Sequence, residues 1–509
     1  MRHDRRSASR PPRRLFRSLA AALAFLAAGC AGGPPTEAPR TVAQRPAAEQ
    51  RAGDRSHEQL VAQFGGAYRG PVAAYVNELG RRLAAVSEQP QGPWTFTVLD
   101  NPTVNAFALP GGYVYVTRGL IALANDEAEL AGVIGHEIGH VTAGHGAQRQ
   151  TRSTIAQIGV LAAVIGAAAA GLDGPALDAV GQMGSAVGAG VIASYSRAQE
   201  FEADLLGVRY LSRAGLDPFA QADFLESMKA QTALSTRLAG GAYDPTRVDF
   251  FASHPATADR AREAVRAARL EAGARPGEGA RNRDRFLSAI DGMTFGDSRA
   301  HGFVRGRRFV HPELRFAFSA PEGFTIMNAS TQVAARGPRD AALVFDGGTD
   351  PGGPLDAYVA RVWAAGISRQ ARTGPLQGLE RTRIGGMEAA TAFLPIDTGR
   401  GVRIAQLTAI RTGDGRVYRF LGLSNRDDAA MRAALDRAAR GFERLSAAEA
   451  ARLQPWRIRV VTVRPGETAE SLAARTPFDR ARVERFRVMN GLAPGAQPRP
   501  GDRVKLVVE

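Results

Sequence analysis

The sequence predicts a multidomain protein: a mainly helical domain with one short exposed strand, then an α+β domain, then a small βααβ unit. The chain has 509 residues, which is too long for one ordinary domain and favours two to four compact units. Its hydrophobic pattern is mostly helical over 57–270, strand-like over 300–447, and different again from about 455. Apolar residues make up 44% of the chain, which suffices for more than one core.

Residues 1–29 have the pattern of a lipoprotein signal peptide. Seven arginines and one aspartate precede the apolar stretch SLAAALAFLAAG, and the chain's single cysteine, Cys30, follows it. The alternative, an uncleaved membrane anchor, needs about 20 apolar residues, and this stretch is much shorter. Ala31 after the cysteine resembles the sorting pattern of Gram-negative outer-membrane lipoproteins. We therefore expect lipidation at Cys30 and a periplasmic protein that is lipid-anchored to the outer membrane, exported by the Sec or the twin-arginine route.

The basic charge does not predict a nucleic-acid partner. Residues 1–29 carry a net +6 of the formal +15, which leaves +9 for the remainder. The other arginines are scattered among acidic residues, with no basic run beside interleaved aromatics, so they indicate a solvated surface. Residues 30–56 are rich in Ala, Pro and Gln and have little to bury, which predicts a disordered tether.

The stretch VIGHEIGHVTAGH, inside the helical domain, has the spacing of a metal site. On a helix His136 and His140 lie about 40° apart and can hold one zinc ion at Zn–N distances of about 2.0–2.1 Å. Glu137 is offset by about 100°, beside the ion, where its carboxylate can take a proton from water activated by the metal. The pattern H-E-x-x-H is expected by chance about 0.006 times in a chain of this length and composition.

A catalytic zinc ion needs a third protein ligand and one open position. His145 lacks the metzincin spacing and lies about 140° around a continuous helix from His140, so we expect it to cap the helix or pack nearby. Glu200 and Asp204, in SYSRAQEFEADLLG, are four residues apart and share a helical face. We expect Glu200 to bind the ion and Asp204 to accept a hydrogen bond from a ligand histidine. The alternative is that both acids merely solvate a helix.

Three segments, NAFALPGG at 105–112, HEIGH and SRAQEFEADLLG, together resemble the zinc metallopeptidases of the HtpX and CAAX-prenyl-protease type, peptidase family forty-eight. The resemblance covers 60–265 and is to the soluble periplasmic, BepA-like branch. It implies a mainly α, gluzincin-type metalloendopeptidase with one Zn2+ per chain. The zinc ligands are then His136, His140 and Glu200. Glu137 is the general base, and Asp204 falls on the family's aspartate behind the ligands.

A later segment, FASHPATADRA, resembles the family region in which a histidine before proline approaches the metal. His254 occupies that place. We expect it to stabilise the oxyanion of the tetrahedral intermediate, or to block the ion in a resting state. Arg197 and Arg260 are expected to be structural ion-pair partners.

Two segments are expected to form the walls of a substrate cleft. The strand YVYVT would offer a free edge to a substrate peptide, so the predicted substrate-binding residues are Asn105, Gly112, Tyr113 and Val114. The Ala/Gly-rich run at 155–196 is expected to form a helical hairpin against the active site or the membrane surface. A membrane span is the alternative.

Beyond the helical domain, residues 271–299 are predicted to be a linker and residues 300–447 an α+β domain of unassigned role. The GDG at 413–415 predicts a hairpin turn, and helical stretches are predicted at 355–366 and 427–440. This domain offers no cluster of His, Cys or paired acids that predicts a second active site. Its strand pattern weakly resembles PsbP-like sheet domains.

Residues 455–509 resemble a LysM module. The predicted order is strand, helix, helix, strand, with GET at 466–468 in the place of the module's GDT, Asn490 at its asparagine, and a closing PG turn at 500–501. The resemblance implies a small βααβ fold that binds peptidoglycan. The alternative is a LysM-like fold that only packs on its neighbour.

The leading hypothesis is a zinc metalloendopeptidase that hydrolyses misfolded or misassembled cell-envelope polypeptides, a substrate class that rests on the family resemblance. One alternative is an envelope assembly chaperone or adaptor that uses the protease fold to bind clients. Another is a cell-wall hydrolase targeted by the LysM-like unit. Complementation of an envelope-stress phenotype by Glu137→Gln would favour the chaperone, and hydrolysis of purified sacculi would favour the cell-wall enzyme.

Overall fold

A computed structural model describes residue 54 and residues 57–145, 195–238, 258–270, 275, 277–399 and 401–509. The predicted signal peptide, the lipidation site Cys30, most of the tether, most of the 155–196 run and His254 lie outside the described residues. Within the described ranges, no helix is both long enough and apolar enough to cross a membrane.

The first domain is built mainly from helices around one apolar core. Its labelled helices are α1 (Pro71–Ala85), α2 (Arg118–Leu123), α3 (Glu127–Thr142), α4 (Arg197–Arg213), α5 (Ala220–Leu238), α6 (Ala258–Leu270) and α7 (Arg283–Ile290). In α1, Val72, Val76, Leu79 and Leu83 recur every three or four residues and are all buried. Helical periodicity of this kind turns one face of α1 into the core.

A three-stranded sheet completes this domain. Its strands are β1 (Thr95–Leu99), β2 (Ala106–Leu109) and β3 (Tyr113–Thr117), in the order β1–β3–β2. The predicted free edge at YVYVT is therefore wrong, because β3 is the central strand, parallel to β1 and antiparallel to β2, and all five of its side chains are buried. The runs TFTVL and AFAL supply its partners, which the alternation within YVYVT does not reveal.

The segment 283–293 also belongs to the first domain, so the predicted linker at 271–299 is wrong over that stretch. α7 buries Phe286 and Ile290 in the same core as α1. The ring centroid of Phe286 lies 6.4 Å from that of Tyr75. The apolar residues here are flanked by arginines and aspartates. The sequence pattern of so short an amphipathic helix therefore resembles that of a polar linker.

The second domain is the predicted α+β domain. Its strands are β4 (Phe303–Arg305), β5 (Arg308–His311), β6 (Phe316–Ser319), β7 (Thr325–Asn328), β8 (Gln332–Arg336), β9 (Ala342–Thr349), β10 (Arg372–Thr373), β11 (Gln377–Ile384), β12 (Met387–Asp397), β13 (Val402–Arg411), β14 (Arg416–Asn425) and β15 (Glu443–Arg444). Its helical segments are a 3₁₀ segment (Pro338–Asp340), α8 (Leu355–Ala357), a π-helical stretch (Tyr358–Ala364), α9 (Ala365–Ser368), α10 (Ala429–Arg440) and α11 (Ala447–Arg452).

Two sheets organise the second domain. The larger has the order β10–β12–β13–β14–β9–β8–β7, with β11 also paired to β12, and the smaller has the order β15–β6–β5–β4. The hairpin predicted at GDG is confirmed, since β13 and β14 pair antiparallel on either side of it. The two predicted helical stretches are confirmed as well.

The last unit has the predicted order of elements: β16 (Arg457–Thr462), α12 (Ala469–Ala473), α13 (Arg482–Met489) and β17 (Arg503–Val508). β16 and β17 pair antiparallel. The unit packs directly on the first domain, because Ile458 enters the first domain's core. The fully buried Lys505 donates to the carbonyl oxygens of Ala122 and Ala124, at 2.9 and 2.6 Å, where α2 ends. These contacts hold the unit at a fixed place just before α3.

Candidate metal centre

Helices α3 and α4 cross at glycines, which lets their backbones approach closely. A Cβ atom on Gly135 would lie 3.3 Å from Gly207 Cα, and one on Gly207 would lie 3.1 Å from His136 N. Side chains at these positions would force the two helices apart. The side chain of Asp126 caps α3 and that of Ser196 caps α4, so both helices begin at defined residues.

This crossing brings His136, His140 and Glu200 together, and all three are buried. His136 Nε2 lies 3.0 Å from His140 Nε2. The Glu200 carboxylate lies 3.6 Å from His136 Nε2 and 3.4 Å from His140 Nε2. One ligand atom from each residue therefore lies within 4.8 Å of the other two. Two imidazole nitrogens and a carboxylate oxygen that converge in this way form a donor set suited to a divalent ion such as zinc.

Asp204 lies behind the cluster, beside the other nitrogen of His136. Its Oδ1 atom is 2.8 Å from His136 Nδ1, which assigns the ring proton to Nδ1 and leaves Nε2 to face the cluster. Gln221 Nε2 donates to the same oxygen at 2.9 Å. Burial alone would raise the pKa of the Asp204 carboxyl, but Arg260 and His136 hold that pKa well below its ordinary value. Asp204 is thus an ionised acceptor at the place that the helical spacing predicted.

One buried arginine joins the two carboxylates. Arg260 Nη1 lies 2.8 Å from Glu200 Oε2, and its Nε and Nη2 donate to Asp204 at 2.7 and 2.8 Å. The side chain is only 4% exposed, so water screens these ion pairs little. Both predicted ion-pair partners do form ion pairs, but Arg197 meets Asp259 on the surface, at 3.5 Å, whereas Arg260 balances charge inside the site.

Glu137 is buried on α3, next to His136. Burial lowers the pKa of Arg260, but the negative charges of Asp204, Glu200 and Glu137 raise it above its ordinary range. The Glu137 carboxylate is therefore within electrostatic reach of the same arginine as the other two site acids.

His145 contacts His140, a partner that projection along a continuous helix did not predict. α3 ends at Thr142, and Gly144 turns the chain with φ 71°, so that His145 N donates to His140 O at 3.0 Å. His145 Nδ1 then lies 2.9 Å from His140 Nδ1. The angle of about 140° does not apply, because the helix has already ended. A glycine directly after the last apolar residues was the signal that could have shown this.

The four predicted substrate-binding residues serve the sheet itself. The carbonyl oxygens of Asn105 and Gly112 accept backbone N–H groups from β3 and β1. The Tyr113 hydroxyl hydrogen-bonds to Asp54, and Val114 is fully buried. In the part of the chain that the structure describes, β2 is an edge strand of this sheet.

Known proteins match the domain that contains this centre. The profile of Peptidase family M48 matches residues 72–268. The beta-barrel assembly-enhancing protease of Yersinia pestis is 34% identical over 190 residues, which cover 36% of this chain and 38% of the relative. The mitochondrial metalloendopeptidase OMA1 of Schizosaccharomyces pombe is 32% identical over 187 residues, which cover 36% of this chain and 52% of the relative. The chain thus spans about half, or less, of the length of these relatives.

Solved structures resemble this chain only weakly. Cyanobacterial PsbP from Synechocystis covers 28% of this chain and 98% of its own, with 17% identity and a TM-score of 0.23. LpqN of Mycobacterium tuberculosis covers 26% of this chain and 83% of its own, with 12% identity and a TM-score of 0.21.

The matched range and the candidate metal centre coincide. The matched range contains the HEIGH and EFEAD segments that supply the cluster. It also contains the two helices whose crossing brings His136, His140 and Glu200 together. Residues 72–268, which match Peptidase family M48, therefore contain the candidate metal centre.

Proposed function

We propose that the protein is a zinc-dependent metalloendopeptidase that hydrolyses peptide bonds of misfolded or misassembled cell-envelope polypeptides. The observation that carries the proposal is the convergence of His136, His140 and Glu200 within 4.8 Å, with Glu137 on the same helix as the histidines. A relative whose name describes a protease that enhances beta-barrel assembly supports an envelope substrate.

Each residue of the centre has a distinct task. His136, His140 and Glu200 hold the ion, and Asp204 fixes the ring of His136. A zinc ion held by these residues would supply Lewis-acid chemistry, polarising the scissile carbonyl group and lowering the pKa of water. Glu137 accepts a proton from the attacking water and delivers it to the departing amine nitrogen, so it acts as general base and then as general acid.

The substrate peptide is proposed to pair with β2 through backbone hydrogen bonds. In the described residues β2 is an edge strand and packs beside α3, whereas β3 is paired on both sides. Backbone pairing tolerates many side chains, which suits the removal of polypeptides of varied sequence. His254 keeps its proposed role, to stabilise the oxyanion or to block the ion in a resting state.

The proposed location is the periplasmic side of the outer membrane, with a lipid on Cys30. The charged and apolar pattern of residues 1–29 supports this location. The C-terminal unit is proposed to be LysM-like and to bind peptidoglycan, supported by its βααβ order and its GET and Asn490 positions. Because Lys505 docks this unit on the first domain, a bound glycan would lie at a fixed place relative to the metal centre.

Removal and return of zinc test the enzymatic proposal. We expect the purified protein to contain one zinc ion per chain and to cleave an unfolded, casein-type polypeptide. A chelator should abolish cleavage and stoichiometric zinc should restore it, because the ion supplies the charge that polarises the carbonyl group. Cleavage that continues at the same rate in zinc-free protein would contradict the proposal.

A further inference from the structure

Two buried aromatic rings, those of Tyr195 and His145, contact the ring of His140. Tyr195 stacks on the His140 ring, with centroids 3.7 Å apart and planes 13° apart. His145 contacts the other nitrogen of the His140 ring, with its Nδ1 atom 2.9 Å from His140 Nδ1. His145 is 2% exposed and Tyr195 is 5% exposed. The stacking fixes the plane of the His140 ring, and the Nδ1 contact fixes its rotation within that plane.

Hydrogen-bond chemistry decides which nitrogen carries each proton. His140 directs Nε2 at His136 and Glu200, so a metal-binding His140 carries its proton on Nδ1. The facing Nδ1 of His145 must then accept that hydrogen bond, which puts the His145 proton on Nε2. His145 Nε2 lies 3.3 Å from Glu202 Oε2, where a carboxylate can accept it. Each contact along this path thus has one donor and one acceptor.

We propose that His145 is a positioning residue for His140, the middle member of a hydrogen-bonded chain from Glu202 through His145 to His140. This inference rests on the proposed function, because it concerns the same zinc site. Asp204 orients His136 directly with a carboxylate. His140 is oriented by a neutral imidazole, which is in turn oriented by a carboxylate. The turn at Gly144 is what returns His145 to this position.

The hydrogen-bonded chain from Glu202 to His140 predicts which substitution weakens zinc binding more. Loss of a group that orients a ligand histidine typically costs about 10–100-fold in metal affinity. His145 is buried and contacts His140 directly, so its loss should fall in that range. The Glu202 side chain is 59% exposed, and water can replace it, so Glu202→Gln should cost less than the loss of His145.

Zinc affinity of the full chain, measured by competition with a chromogenic chelator, tests the inference without reference to cleavage. His145→Leu keeps much of the side-chain volume and removes the acceptor, so zinc should bind about 10–100-fold more weakly. The visible spectrum of the cobalt-substituted variant should also change. His145→Asn places an amide oxygen near the position of Nδ1 and should recover most of the affinity. His311→Leu, at a buried histidine of the second domain, is the matched control and should leave zinc affinity unchanged.

The outcomes separate this inference from the proposed function. If His145→Leu binds zinc as tightly as the wild type, or if His145→Leu and His145→Asn lose affinity equally, His145 only fills space and the inference is overturned. If the wild type binds zinc but cleaves no polypeptide, the proposed function fails, and the affinities of the variants still decide the role of His145. If the wild type binds no zinc, both fail together.

Discussion

Replacement of Glu137 by glutamine is expected to lower the rate of peptide cleavage by about 10²–10⁴-fold while the zinc content stays unchanged. The amide has nearly the size and shape of the carboxylate, but it does not accept a proton from the attacking water. Glu137 is not among the three converging ligand residues, so we expect zinc to be retained. The measurement is kcat/KM on an unfolded polypeptide, together with the metal content of the same sample.

Glu226→Gln supplies a matched control for this prediction. Glu226 lies on α5, its side chain is 57% exposed, and it pairs with Lys229 at 3.1 Å. The same chemical change there should leave both cleavage and zinc content as in the wild type. A Glu137→Gln protein with full zinc and wild-type kcat/KM would show that Glu137 is not the base.

We expect Arg260→Leu to lower the free energy of unfolding of the zinc-free protein by about 3–5 kcal/mol. The substitution removes the positive charge that contacts Glu200 and Asp204 in a site with almost no exposure. Removing one member of a buried ion pair leaves the opposite charge in surroundings that solvate it poorly. Urea unfolding of wild type and variant at neutral pH measures the difference.

The loss in Arg260→Leu should grow with pH. In the wild type, the depressed pKa of Asp204 means that its contribution to stability is present above the ordinary range of about 4 and is lost as pH falls through the folded pKa. In the variant, we expect burial to prevail and to raise the pKa of Asp204, so the folded state holds a proton and loses stability as pH rises. The difference between the two proteins should therefore be larger at pH 8 than at pH 5.

Arg197→Leu is the control for this second prediction. Its ion pair with Asp259 is on the surface, at 3.5 Å, and exposed pairs of this kind contribute about 0–1 kcal/mol. If Arg260→Leu cost no more than Arg197→Leu, the buried arginine would not balance the charges of the site.

The metal centre was largely predictable because its spacings are local. His136, Glu137 and His140 stand on one helix, Glu200 and Asp204 on another, and helical geometry alone determines which of them share a face. The two helices are distant in sequence, so their spacing does not predict that they make contact. The family resemblance implies that contact. The glycine contacts at the crossing explain it physically.

The two wrong predictions share a physical cause, because each segment is buried by partners that lie in other parts of the sequence. The alternation in YVYVT indicated a strand correctly, but its two neighbours lie in separate runs, and pairing with both makes it central. The helix containing Phe286 is short and amphipathic, and its burial depends on α1, far away in sequence. His145 packs near the site as expected, but its contact with His140 depends on the helix end at Gly144, which projection along a continuous helix does not describe.

Anomalous diffraction at the zinc absorption edge, from crystals of the purified protein, tests the central claim most directly. We predict one strong peak at bonding distance, about 2.0–2.2 Å, from His136 Nε2, His140 Nε2 and the Glu200 carboxylate. A zinc peak held by other residues, or a structure in which these three side chains stand apart, would contradict the account.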